Sequence, residues 1–201
     1  MPNTTKILQK NKIFPLEIVI TVLTIIIIGV SFLLDTVAQQ YAEQIQNTNF
    51  SFFLSIIASY WMIFIILLLI PTILLWKEKR DKWIFPIWLA IISSAVIAFI
   101  AKLIVQRTRP LGMEYLFNII PDYAFPSLHT AAAFASLFIL AKAYPKYKYL
   151  FISYAVIVGL SRIYLKAHYF SDVVAGAALG CGVGYLFLWF VKYNTKPWIL
   201  K

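Results

Sequence analysis

The sequence predicts an all-α integral membrane protein, a bundle of about six transmembrane helices with both termini in the cytoplasm. Two observations carry this. Of the 201 residues 62% are hydrophobic, against roughly 45 to 50% in a soluble domain, and the mean hydropathy is +0.82. The apolar residues also fall into segments near the ~20 residues a membrane crossing needs, separated by polar, cation-rich breaks. No period of 20 to 50 residues repeats, so one domain over residues 1–201 is the economical organisation.

The first span runs from Leu16 to Ala38. Lys6, Lys10 and Lys12 precede it as in a secretory leader, but the run exceeds the ~7 to 15 residues of a leader's apolar region and lacks a small-residue cleavage pattern. It is read as a retained span. A weakly acidic stretch from Asp35 to Asn49 leads to the second span, Phe53 to Trp76, and the charge run Lys77 to Lys82 leads to the third, Trp83 to Val105. After a long loop beyond Gln106 comes a short fourth segment, Ser127 to Ala141, which crosses only by thinning the bilayer or by sitting deep in the bundle. Lys142 to Lys148 separates it from Tyr149 to Leu165, and Val173 to Val191 is the last. There Gly176, Gly180 and Gly184 form overlapping GxxxG patterns, expected to pack inside the bundle. Trp76, Trp83, Tyr149 and Trp198 stand near segment ends and are expected to anchor at the interface.

The net charge of +10 fits positive-inside topology better than a nucleic-acid partner. A cytoplasmic N-terminus places 13 of the 18 Lys and Arg residues inside, and the remaining five, Lys102, Arg107, Arg109, Arg162 and Lys166, cluster at the outer end of the third and fifth spans. Cations there cost about 2.5 to 3.5 kcal/mol each on insertion scales, so an anion is expected to meet them. Snorkelling to the interface is the alternative for Lys102 and Arg162, and a solvated or headgroup-facing role is preferred for Arg107 and Lys166. Cys181 is the single cysteine, which leaves no intrachain disulfide and no zinc-ligand spacing.

Both histidines of the chain, His129 and His168, fall at this same end. Imidazole changes protonation near neutral pH, and Asp172 follows His168 by four residues, the spacing that shares a helical face. Asp172 can then fix the tautomer of the His168 ring. Arg109 and Arg162 offer planar forks to phosphate oxygens and Lys102 a point charge. Ser127, preceded by Pro126 and followed by an alanine-rich run, is placed as a helix N-cap beside free N–H groups that favour an anion.

Read in order, the strings are Lys102, six residues, Arg109 and Pro110; then Pro126, Ser127, Leu128 and His129; then Ser161, Arg162, five residues, His168, three residues and Asp172. This resembles the three signature motifs of the type 2 phosphatidic acid phosphatase superfamily, KxxxxxxRP, PSGH and SRxxxxxHxxxD, over about residues 102–184. The departure is Leu128, where that family usually has glycine, a residue that lets backbone approach closely. The backbone N–H survives, and pocket shape is what changes.

The resemblance implies a lipid phosphate phosphatase acting on a monoester or diphosphate such as phosphatidate, phosphatidylglycerol phosphate or a polyprenyl diphosphate, undecaprenyl diphosphate included. It implies His168 as nucleophile forming a phosphohistidine, Asp172 orienting it, His129 as acid and base, and Lys102, Arg109, Ser127, the Leu128 backbone and Arg162 holding phosphate. No cofactor and no metal enter this scheme, and only Glu114, Asp122 and Asp172 lie where a magnesium site would need several carboxylates. The bilayer and a lipid entering laterally are the expected partners, and a prokaryotic cell membrane with the site facing outward the expected location. A phosphotransferase of the same fold and a lipid phosphate carrier are the alternatives. A carrier predicts helix breaks at the midplane of paired spans, and only Pro71 and Pro86, near span ends, come close.

Overall fold

The computed structural model describes residues 13–111, 115–116 and 120–194. The helices are α1 (Ile13–Leu33), α2 (Asp35–Gln44), α3 (Thr48–Ile57), α4 (Tyr60–Phe64), α5 (Ile70–Lys77), α6 (Ile84–Val105), α7 (Leu128–Ala143), α8 (Lys148–Tyr164) and α9 (Phe170–Asn194). The one exception to helix and loop is a minimal antiparallel pair among the described residues, β1 (Tyr115–Leu116) with β2 (Ile120–Pro121), in the loop after α6. The protein is thus an all-α membrane bundle.

Four helical stretches among the described residues are long and apolar enough to cross a membrane: Leu16–Leu33, Thr48–Lys77, Asp81–Val105 and Phe170–Val191. The predicted fourth and fifth spans are present as helices α7 and α8, of 16 and 17 residues. At 1.5 Å per residue they measure only about 24 to 26 Å against a hydrocarbon core of about 30 Å.

Two boundaries differ from expectation. The first span stops at Leu33, five residues before Ala38, and the chain turns at Leu34. The polar stretch expected to be a connection forms α2 and opens α3, because Asp35 is drawn inward (6% exposed) and Asn47 caps α3 by accepting the Phe50 N–H. The second span is helical throughout except at Ala58 and Ser59, where Ser59 caps the new start by accepting the Met62 N–H. Between α4 and α5 one wider π turn, Ile65–Leu69, adjoins Pro71. Proline lacks the N–H that would bond Leu67, and the ladder accommodates its ring by widening.

The centre of the bundle is α7, whose Ala131, Ala132, Ala133, Ala135, Leu137, Ile139 and Leu140 are all buried. It packs on α6, α8 and α9. A helix apolar on every side belongs inside protein, so neighbours rather than lipid surround α7 and its shortness is tolerated. Against α9 the approach is backbone to backbone. A Cβ at Gly176 would lie 2.6 Å from the Ser127 carbonyl oxygen, and one at Gly180 or Gly184 would collide with the carbonyl of Ala131 or Ala135. The GxxxG stripe is therefore the α7 seam, as the spacing predicts.

Of the expected anchors, Trp76 and Tyr149 are 69% and 70% exposed, whereas Trp83 is only 6% exposed and belongs to the core. Lys6, Lys10, Lys12, Lys196, Lys201, Trp198 and Glu114 lie outside the described residues. The charged connections at the opposite end from the histidines meet: Arg80 donates to the Ala143 carbonyl and its guanidinium lies 5.1 Å from the Tyr144 ring centre.

Candidate active site

Each motif sits where a helix begins or ends, because helix ends expose unsatisfied N–H and C=O groups that polar side chains can meet. Lys102 lies in the last turn of α6, which closes on Gln106 in the left-handed conformation (φ 51°), its N–H donating to the Lys102 carbonyl at 2.9 Å. Ser127 is the N-cap of α7, as expected; the Thr130 hydroxyl donates to its Oγ at 3.0 Å. Its own N–H donates to the Asp172 carbonyl at 3.0 Å, tying the start of α7 to the start of α9. Arg162 lies in the last turn of α8, and its carbonyl accepts both the Ala167 and the His168 N–H at 3.1 Å.

Lys102, Arg109, Ser127, His129, Arg162, His168 and Asp172 are all less than a tenth exposed and gather at one end of the bundle. Leu128, the first residue of α7, is half-buried. His168 is not in the same helix as Asp172. It lies in the loop before α9, and Asp172, in the first turn, reaches back so that Oδ2 accepts the Tyr169 N–H at 2.8 Å, the returning half of a capping box. That bond brings Oδ2 to 3.7 Å from His168 Nδ1, close enough to orient and stabilise a charged ring but longer than a hydrogen bond. The His168 ring is almost wholly buried, and burial, followed by the positive charges of Arg109, Lys102 and Arg162, holds its pKa well below the ordinary 6.5. The neutral ring is thereby favoured, and the hydrogen bond between the ring and the Ala124 carbonyl opposes this shift only in part.

Two residues expected to face phosphate already hold a carboxylate. Asp122 accepts from Lys102 at 2.8 Å through Oδ1 and from Arg109 at 2.6 Å through Oδ2, and Arg109 Nε donates to the Asp122 carbonyl at 2.9 Å. Asp122, in the segment just before α7, is thereby tied to the end of α6 and to Arg109.

Arg107 departs from its expected solvated role. It donates to Asp172 Oδ1 at 2.8 Å, Ser171 Oγ at 2.7 Å and Asp35 Oδ2 at 2.7 Å, and stacks 4.0 Å from the Tyr169 ring centre. The cause is the two carboxylates it bridges, Asp35 at 6% and Asp172 at 0% exposure, which need a fork-shaped cation once withdrawn from water. Lys166 likewise pairs with Glu43 at 2.9 Å. Sequence reasoning missed Asp35, although a carboxylate inside a predicted span is itself a signal. It also missed Tyr60, whose ring stacks on His129 with centres 3.7 Å apart and planes at 25°. No sequence pattern links those two helices. Among the described residues no three His, Cys, Asp or Glu side chains gather as metal ligands. The site is built of cations, imidazoles and helix N-termini, the complement of an oxyanion.

A sequence model of the PAP2 superfamily matches residues 83–196, more than half of the chain. The chain belongs to the PAP2 superfamily. Its relatives include the inositol phosphorylceramide synthase catalytic subunit AUR1 of Saccharomyces cerevisiae, 38% identical over 74 residues that cover 37% of this chain and 18% of the yeast protein. They also include the lipid A 1-phosphatase of Rhizobium etli, 33% identical over 99 residues, 45% of this chain and 42% of that protein. The chain thus spans less than half the length of both. The fold is that of the PAP2-type phosphatidylglycerolphosphate phosphatase of Bacillus subtilis, with a TM-score of 0.70 at 20% identity over 90% of this chain and 98% of that one. The PAP2 match takes in every motif residue, whereas Asp35 and Tyr60 lie before it.

Proposed function

We propose that this PAP2 protein hydrolyses a phosphate monoester or diphosphate on a membrane lipid, with His168 as nucleophile. The observation that carries the reading is the buried His168 ring, held neutral, facing the Asp172 carboxylate on one side and set among Lys102, Arg109 and Arg162. With the ring proton on Nδ1, facing the Asp172 carboxylate, the nitrogen turned away from Asp172 leaves the Ala124 carbonyl and attacks phosphorus, and the bond from phosphorus to the lipid oxygen breaks. His129, steadied by Tyr60 and acting from its protonated form, gives that proton to the departing oxygen and becomes neutral. Water then attacks the phosphohistidine, His129 takes its proton, the nitrogen–phosphorus bond breaks and phosphate leaves. Lys102, Arg109, Arg162, Ser127 and the N-terminus of α7 hold the charge that develops on the phosphoryl oxygens. No step requires a metal.

Six crossings with both termini inside and the site outward accompany this reading. Its support is the separation of cations: Lys77, Lys79, Arg80, Lys82, Lys142, Lys146 and Lys148 lie at one end and the phosphate-binding set at the other. Phosphatidate, phosphatidylglycerol phosphate and polyprenyl diphosphates are the candidate substrates, and the resemblance to a lipid A 1-phosphatase supports a lipid-borne phosphate. Transfer to a lipid or sugar acceptor is the second reading, favoured by the 38% identity to a synthase subunit. The test is a panel of these lipid phosphates with purified protein, scored for free phosphate and for transfer products, alongside His168→Ala. Loss of turnover in the variant is expected. Undiminished phosphate release from it would refute the assigned nucleophile.

A further inference from the structure

The loop from Lys166 to Ser171, which carries His168, is gripped along its length by a single helix from elsewhere in the chain. Asp35, Gln39 and Glu43 stand four residues apart, on one face of α2. Glu43 pairs with Lys166 at 2.9 Å. Gln39 Nε2 donates to the His168 carbonyl at 2.9 Å. Asp35 accepts the Ser171 N–H at 2.8 Å and the Ser171 hydroxyl at 2.7 Å, and through Arg107 it reaches the Asp172 carboxylate. The far end of α2 is held too: Tyr164 accepts the Asn47 N–H at 2.7 Å and donates to the Ile45 carbonyl at 3.2 Å.

A helix that merely covered this end would bury an apolar stripe. Here the large apolar residues Val37 and Tyr41 are 61% and 64% exposed, and Asp35 and Gln39 are turned inward beside only the small Ala38 and Ala42, with Glu43 at the exposed rim. Asp35 caps α9 and neutralises Arg107, which fixes one oxygen of Asp172 and leaves the other for His168. Gln39 acts on the backbone of His168 itself, where no cap or ion pair requires it.

We propose that α2 is a positioning clamp for the nucleophile, with Asp35 and Gln39 its principal positioning residues. The clamp rests on His168 being the nucleophile and adds to it a part of the chain that the PAP2 match does not cover. Ångström-scale misplacement of a reacting group costs up to about 100-fold in rate, and such a loss falls on the chemical step while substrate binding, which uses other residues, is kept.

The experiment uses the full chain in detergent micelles with phosphatidate, phosphatidylglycerol phosphate and farnesyl diphosphate, following whichever is turned over fastest. Asp35→Asn and Gln39→Ala are each expected to lower kcat by roughly 10- to 100-fold with KM within about twofold of wild type. The double variant Asp35→Asn/Arg107→Gln should be no slower than its slower parent, because both residues act along one chain to Asp172. Gln40→Ala, on the exposed face, should behave as wild type. Gln39→Ala leaves the ion network intact, so it reports on positioning even where Asp35→Asn fails to fold. Wild-type kcat in Gln39→Ala and in folded Asp35→Asn, with His168→Ala inactive, overturns the clamp alone, as does a loss confined to KM. Turnover by His168→Ala, or none of the three lipids by wild type, overturns the function on which it stands.

Discussion

Gly180 and Gly182 lie two residues apart in α9 and should respond in opposite directions to the same substitution. A Cβ at Gly180 would meet the Ala131 carbonyl oxygen, Phe134 Cβ at 2.8 Å and the Ala135 nitrogen at 2.9 Å; at Gly182 there is nothing within 4 Å. The neighbours at Gly180 are mostly backbone and cannot turn aside, so Gly180→Ala forces α7 and α9 apart and should cost about 1 to 3 kcal/mol, the usual range for overpacking. Gly182→Ala meets open space, and the restricted unfolded chain should add about 0.5 to 1 kcal/mol of stability. At roughly 2 to 4 °C per kcal/mol for a chain of this size, Tm should fall by roughly 2 to 12 °C in the first and rise by roughly 1 to 4 °C in the second. Thermal unfolding of the detergent-solubilised variants reads both. Activity should follow stability only for Gly180, since α7 carries His129, α9 carries Asp172, and their first residues are joined through Ser127. Equal shifts of the same sign would show that the close seam does not hold these helices.

Three further outcomes are expected. Asp122→Ala strips Lys102 and Arg109 of their shared carboxylate and should cost about 3 kcal/mol. Inorganic phosphate at ten times its Kd should then return about 1.4 kcal/mol and raise the variant's Tm more than that of wild type, where Asp122 competes for the same cations; equal rises would refute a shared anion position. Because His168 is held well below 6.5, the unfolded chain binds the extra proton first, so stability should be lost as pH falls below 6.5 and gained as it rises through that window. The acid limb of kcat/KM should also lie below 6.5, and a limb centred at or above that value would contradict the buried neutral ring. In a Cys181→Ala background, an impermeant maleimide should label Leu111→Cys in intact cells and spare Lys79→Cys, and the reverse pattern would invert the topology.

Much of the bundle was legible because a membrane leaves few choices. Backbone groups in hydrocarbon must bond within their own helix, so apolar run length nearly suffices, and Trp83 to Val105 was placed to within a residue. The boundaries that moved, at Leu33 and through α2, are those where a polar residue was claimed by a distant partner. Asp35 ends the first span early because Arg107 and Ser171 await it, 72 and 136 residues further on.

The sequence by itself determined the class and the family and singled out the proposed reacting set, since those depend on side-chain chemistry and on spacings within single helices and turns. His129, His168, Asp172 and their cations could be named before any contact was known. Only the tertiary structure decided what holds them. It assigned Arg107 to the network beneath Asp172, gave Lys102 and Arg109 to Asp122, set Tyr60 on His129, and turned Asp35 and Gln39 of α2 onto the loop that carries His168. The physical reason is that a buried charge or amide must find a partner wherever the fold brings one, and no local pattern records a partner on another element, whether 13 residues away, as Asp122 is from Arg109, or 129, as His168 is from Gln39.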